Sequence, residues 1–148
     1  MEINKNFKEL LELFNKHQVE YVVVGGYAVA YHGAPRFTGD IDLFVAASMG
    51  NAKRVLVALD EFGFGSLGFT VADFSSPGQI IQLGRPPQRI DILTSLTGVE
   101  WHNVWQSKAK ADLGGVDAWI INKENFVANK KAVGRKKDLA DIEAIGEQ

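Results

Sequence analysis

The stretch YVVVGGYAVAYHGAPRFTGDIDLFV, Tyr21 to Val45, constrains this chain more than any other. Tyr21 to Val24 is short, apolar and β-branched in three of its four residues, the pattern of an interior strand covered on both faces. Gly25 and Gly26 close it. YAVAYH then reads as a short helix, and Gly33, Pro35 and Gly39 mark a loop. DIDLFV is a second strand, and it carries two acids. Strand side chains alternate, so Asp40 and Asp42 share one face, about 6.5–7 Å apart along the strand, while Ile41 and Leu43 take the other. Two like charges that close on a half-covered face repel each other and lose hydration. Mg²⁺ would compensate them, since it takes hard oxygen ligands and is commonly held by one or two carboxylates together with substrate phosphates. Solvated acids at a strand end, or acids paired with lysine or arginine, would satisfy the same motif.

The remaining elements follow from periodicity. Ile3, Phe7, Leu10, Leu11 and Phe14 make one apolar face of a first helix. Ser48 is placed to cap a helix with Ala52, Val55, Leu56, Leu59 and Phe62 inside. Residues 63–78 carry no clear pattern. QIIQL and RIDIL read as a hairpin with Pro86 and Pro87 in its turn. GVEWHNVWQSKA is ambiguous between helix and strand, and ADLGGVDAWII reads as a hairpin turning at Gly114-Gly115. Asn122 would cap a helix carrying Phe126, Val127 and Val133. A last helix would bury Leu139, Ile142 and Ile145. Strands adjoin both helices and each other, so the expected class is α/β (α+β), a mixed β-sheet flanked by helices.

At 148 residues the chain is expected to form a single domain, 1–148, large enough to bury about two-thirds of its unfolded surface. A formal net charge of −2 speaks against a wide polyanion footprint and says little about a small basic pocket. With no cysteine, disulfides and thiolate metal sites are excluded. The N-terminus lacks the apolar run of a signal peptide, and no segment approaches the ~20 apolar residues of a membrane span. A soluble, cytoplasmic protein without membrane contact is expected.

Asp91 in RIDIL adds a third carboxylate. If its strand neighbours DIDLFV, three acids converge, enough for two metal ions with a nucleoside triphosphate between them. Pairing with Arg89 is the alternative for Asp91. The glycine pair lets backbone approach a phosphate at a helix start, or makes only a tight turn. It is neither GxGxxG nor a P-loop. His32 reads as a structural donor rather than a base. No motif surrounds His17 or His102. Trp101, Trp105 and Trp119 read as core residues rather than base-stacking platforms. Lys130, Arg135, Lys136 and Lys137 could face a polyphosphate, while Lys131 and Lys136 suit a solvated helix end. Asp138 and Asp141 would cap or pair with these bases.

A glycine pair after an apolar strand, then a helix, then an acid-x-acid strand resembles the polymerase-β-like nucleotidyltransferase superfamily. More narrowly, RFTGDIDL looks like the RxTxDID form of the small AbiEii-type toxin nucleotidyltransferases, and NKKAVGRKKDLADIEAI resembles that group's late GRxKDxxDI motif. The likeness spans Tyr21–Val45, Arg89–Leu93 and Asn122–Ile145. It implies the polymerase-β-like fold and a metal-dependent transfer of NMP from an NTP to a hydroxyl acceptor, with pyrophosphate released. By position, Gly25 and Gly26 would hold the triphosphate, and Asp40, Asp42 and Asp91 would be the catalytic and metal-binding carboxylates around Mg²⁺, in a two-metal arrangement. Arg36 and Thr38 match the RxT positions, and Lys130 and Asp138 the late nucleotide-side residues. The acceptor, whether tRNA, protein or small molecule, is left open. So are an antitoxin partner and a homodimer. A non-catalytic nucleotide-binding or interaction protein with the same fold is the main rival reading, and a metal-dependent phosphohydrolase a weaker one.

Overall fold

The computed structural model describes residues 3–33, 39–85 and 88–146. Its elements run α1 (Lys5–Lys16), β1 (Tyr21–Val24), α2 (Gly26–Tyr31), β2 (Ile41–Val45), α3 (Met49–Leu59), α4 (Val71–Ser75), β3 (Ile80–Arg85), β4 (Gln88–Leu93), α5 (Trp101–Ser107), β5 (Ala109–Leu113), β6 (Val116–Ile120), α6 (Lys123–Val133) and α7 (Lys136–Ala144). The strands form one six-stranded sheet in the order β3-β4-β2-β1-β6-β5. Pairing is mixed: β2–β4 and β1–β6 are parallel, and β1–β2, β3–β4 and β5–β6 antiparallel.

The expected interior strand is central, with Tyr21 to Val24 all buried. β2 lies between β1 and β4 and buries Ile41, Leu43, Phe44 and Val45. Parallel pairing of β2 with β4 sets Asp42 opposite Asp91 and Leu43 opposite Ile92. The two acids therefore share one face, and the apolar neighbours share the other. α1 contributes Phe7, Leu10, Leu11 and Phe14 to the core, as its periodicity predicts. Ser48 caps α3, its hydroxyl accepting from the Asn51 amide at 3.2 Å. Asn51 is buried and ties α3 to the sheet: its Nδ2 donates to the carbonyls of Glu20 and Ala46, and its Oδ1 accepts from the Glu20 amide.

The turn at Gly114-Gly115 has both residues at positive φ, 65° and 93°, as a two-residue hairpin of this twist requires. The ambiguous GVEWHNVWQSKA segment is mostly helical, as α5, and the unassigned 63–78 segment contains α4. α3 stops at Leu59, and a widened turn over Asp60–Phe64 follows, with Gly63 at φ 107°. The proposed turn residues Pro86 and Pro87 lie outside the described residues.

Two helix faces differ from expectation. Leu139 is half exposed, whereas Asp138 and Asp141 are buried beside Ile142. In α6, Val133 is exposed and Asn129 is buried with Phe126. Hydrophobic periodicity assigns the apolar residues inward, but here buried ion pairs and a hydrogen bond from Asn129 Nδ2 to the Thr97 carbonyl at 2.8 Å take those places. Trp101, Trp105 and Trp119 are partly buried against the core, with Trp101 stacked on Trp105 and edge-on to Phe44. No described helix is long and apolar enough to cross a membrane.

Candidate active site

A cleft of about 530 Å³ opens where the C-terminal end of β1 meets β2 and β4. Gly25, Gly26, Asp40, Asp42, Arg89 and Asp91 line the cleft from the sheet, and Asn129, Lys130, Arg135, Lys137 and Asp138 come to it from α6, α7 and their junction. Seven of the nine expected site residues therefore converge from segments that lie far apart in the chain. The other two, Arg36 and Thr38, lie outside the described residues.

Gly25 has φ 71° and ψ −146°, a region open essentially to glycine alone. A Cβ there would overlap the Asp42 carboxylate at Oδ2. The missing side chain thus admits the Asp42 carboxylate to the backbone.

Asp42 sits against Asp91 and near Asp40. Burial pushes its carboxyl up to about 7, and the charges of Asp91 and Asp40 push the same way, with Lys130 pulling it down. At neutral pH this group needs further positive charge to ionise fully. The donor oxygens suit a hard divalent cation such as Mg²⁺. Asp40, Asp42 and Asp91 are the residues that would hold it.

Arg89 already supplies part of that charge. Its Nε donates to Asp91 Oδ1 at 2.7 Å and its Nη2 to Asp91 Oδ2 at 3.1 Å, a bidentate pair. Nη2 also stands 3.4 Å from Asp40 Oδ2, and the Arg89 backbone amide donates to Asp40 Oδ1 at 3.1 Å. Among the described residues no three Asp, Glu or His side chains converge as a metal cage in this arrangement. The pairing of Asp91 with Arg89 is thus realised, and Arg89 belongs to the site although the motif likeness did not assign it a role. Its position two residues before Asp91, on the same strand face, was the signal available.

Lys130 is held from behind. Its Nζ lies 3.4 Å from Asp138 Oδ1 and 3.3 Å from Asp141 Oδ2. Asp138 also receives Arg135 Nε at 2.7 Å and the Arg135 backbone amide at 3.2 Å. The Arg135 hydrogen bond, with help from that amide and the Lys130 charge, draws the Asp138 carboxyl down to about 2. Asp138 lines the cleft but is buried and fully engaged, so in this arrangement it braces two cations. Asp141, absent from the expected site, does the same for Lys130. Lys131 and Lys136 are exposed, as a solvated helix end requires. His32 Nε2 stands 2.7 Å from the Ile121 carbonyl, which can only accept, so it is a structural donor.

Residues 1–146 match the model of a family described as "Nucleotidyltransferase of unknown function (DUF6036)". No curated protein shows significant sequence similarity to the chain. Several solved structures share the fold, among them the following. The lincomycin-bound lincosamide antibiotic adenylyltransferase LnuA superposes with a TM-score of 0.57 at 16% identity, over 97% of this chain and 96% of that one. The antibiotic-resistance factor ANT(2'')-Ia gives 0.55 at 11% identity, over 95% and 80%. An antigenic nucleotidyltransferase-like protein from Paracoccidioides brasiliensis gives 0.51 at 17% identity, over 93% and 71%.

Proposed function

The chain belongs to this DUF6036 family of nucleotidyltransferases, and from that premise we propose that it transfers NMP from an NTP, with Mg²⁺, to the hydroxyl of an acceptor. The observation that carries the reading is the register of β2 and β4, which sets Asp42 opposite Asp91 beside the side-chain-free Gly25. The triphosphate would lie along Gly25 and Gly26, with Lys130 turned toward its charge. Asp40, Asp42 and Asp91 would hold the divalent ion, which when bound neutralises charge on the carboxylates and the phosphate oxygens. Asp91 would also be placed to take the proton of the acceptor hydroxyl. The acceptor oxygen forms a bond to the α-phosphorus, the bond from that phosphorus to the bridging oxygen breaks, and pyrophosphate leaves with its electron pair.

A small hydroxyl-bearing molecule is the acceptor we favour. The chain spans nearly the full length of the lincosamide adenylyltransferase it resembles in fold, and its net charge of −2 speaks against a large RNA footprint. A toxin role, with an antitoxin partner, rests on the RFTGDIDL and GRKKD likeness alone. The rival reading, a nucleotide-binding protein without turnover, is favoured by one observation: Arg89 already compensates Asp40 and Asp91.

Incubation with labelled NTPs, Mg²⁺ and cell extract or a panel of small polyols tests the proposal. Label should appear on an acceptor and vanish in the Asp40→Ala/Asp42→Ala double variant. Transfer that persists in the double variant sinks the mechanism. Metal-dependent NTP binding without transfer to any acceptor supports the rival, and phosphate release without transfer supports a hydrolase.

A further inference from the structure

Arg89 occupies ground that the proposed reaction needs. Its guanidinium takes both oxygens of Asp91 and reaches one oxygen of Asp40, while its own amide holds the other. The Asp91 side chain is only 11% exposed and that of Arg89 27%, so the pair is shielded from water on most sides. Both oxygens of Asp91 are engaged as donors' partners, and a metal ion would approach those same oxygens. The guanidinium fork takes one in-plane lone pair on each oxygen, the positions from which the carboxylate would also ligate a divalent ion, so the two cations compete for them.

We propose that Arg89 is a built-in counter-cation that competes with the divalent ion for Asp91 and Asp40, so that the site loads metal together with nucleotide rather than alone. The inference rests on the metal-dependent reading given above. Three carboxylates crowd this end of the cleft, where the charges of Asp91 and Asp40 act against that of Asp42, and Arg89 offsets part of that repulsion. The arginine therefore keeps the acids assembled before substrate arrives. An incoming triphosphate offers the guanidinium a second partner, since phosphate oxygens match its fork as well as a carboxylate does. Transfer of Arg89 from Asp91 to phosphate would uncover the carboxylate as the metal is delivered. Metal affinity and nucleotide affinity then become linked through one side chain: each ligand binds better when the other is present.

Mn²⁺ titration followed by electron paramagnetic resonance, with and without a non-hydrolysable NTP, tests this in the full chain. Wild-type protein should bind Mn²⁺ weakly alone and clearly more tightly with the nucleotide. Arg89→Gln should bind Mn²⁺ alone roughly tenfold more tightly than wild type, the weight of displaced charge-assisted hydrogen bonds. Unchanged or weaker Mn²⁺ binding in folded Arg89→Gln overturns the proposal, while Mn²⁺ binding by wild type with nucleotide leaves the metal reading standing. If no form binds Mn²⁺ under any condition, both fall. A second measurement needs no variant. The Arg89 Nε–H resonance of ¹⁵N-labelled wild type should report slow exchange in the metal-free protein. It should shift and exchange faster on addition of Mg²⁺ with the NTP analogue. A resonance that stays in place while Mg²⁺ and nucleotide bind overturns the competition.

Discussion

Asp42 and Asp91 stand directly opposite each other on the parallel strands β2 and β4. Each lies on the face that turns toward the cleft, and burial with mutual repulsion pushes the Asp42 carboxyl up to about 7. This relationship gives the metal-free protein an unusual pH response. A raised carboxyl binds its proton in the folded chain between about pH 4 and pH 7, where the unfolded chain has lost it. In that window the folded state binds more protons, so this group makes stability fall as pH rises. Asp42→Asn removes the term. The variant should be more stable than wild type at pH 8 by about 1–3 kcal/mol. Its advantage should shrink toward pH 4. Urea unfolding at the two pH values, without divalent ions, checks it. Equal stability at pH 8 would show that Asp42 ionises there without strain.

Gly25→Ala should destabilise the fold and disturb the carboxylate together. The backbone at φ 71° and ψ −146° costs an alanine about 1–3 kcal/mol. The new Cβ would also overlap Asp42 Oδ2. In an Asp42→Ala background the second penalty largely disappears, so a double-mutant cycle should give a coupling of about 1 kcal/mol. Additive losses in urea unfolding would mean that backbone strain alone keeps glycine at this position.

The β-sheet and half of the site could be read from residue patterns because those features are written in neighbouring residues. Alternation places Asp40 and Asp42 together, and the β-branched run marks β1 as interior. The α7 face could not be read that way. Asp138 and Asp141 look like surface acids until Lys130, eight and eleven positions earlier, is brought under them by the turn at Gly134, which sits at φ 71°. Which polar residue turns inward depends on a cation supplied by another helix, and no local period encodes that. Arg89 is a middle case. Its strand face was fixed by its spacing from Asp91, but its reach to Asp40 depends on the register of β2 with β4.

Truncation of Lys130 should expose how this buried pair of acids is held. Lys130→Met keeps most of the aliphatic stem against Phe126, whose ring centre lies 5.5 Å from the ammonium, and removes the charge. Asp138 keeps Arg135, but Asp141 loses its ion pair with Lys130 while remaining 3% exposed. Breaking one side of a buried pair typically costs about 3–5 kcal/mol, and the surviving Arg135 contact should bring the loss at pH 7 to about 2–3 kcal/mol. The pH dependence follows from Asp138. Its carboxyl is drawn down to about 2, so it contributes stability that is complete above its unfolded value near 4 and is lost as pH falls toward 2. Without Lys130 that depression weakens. The gap between variant and wild type should therefore be widest near neutrality and should narrow below pH 4, where Asp138 takes up its proton and its attraction to Lys130 is lost in wild type as well. Urea midpoints at pH 7 and pH 3 measure it. A gap of the same size at both pH values would mean that Lys130 stabilises through packing on Phe126 rather than through the two aspartates, and its charge would then be held in the cleft by some other means.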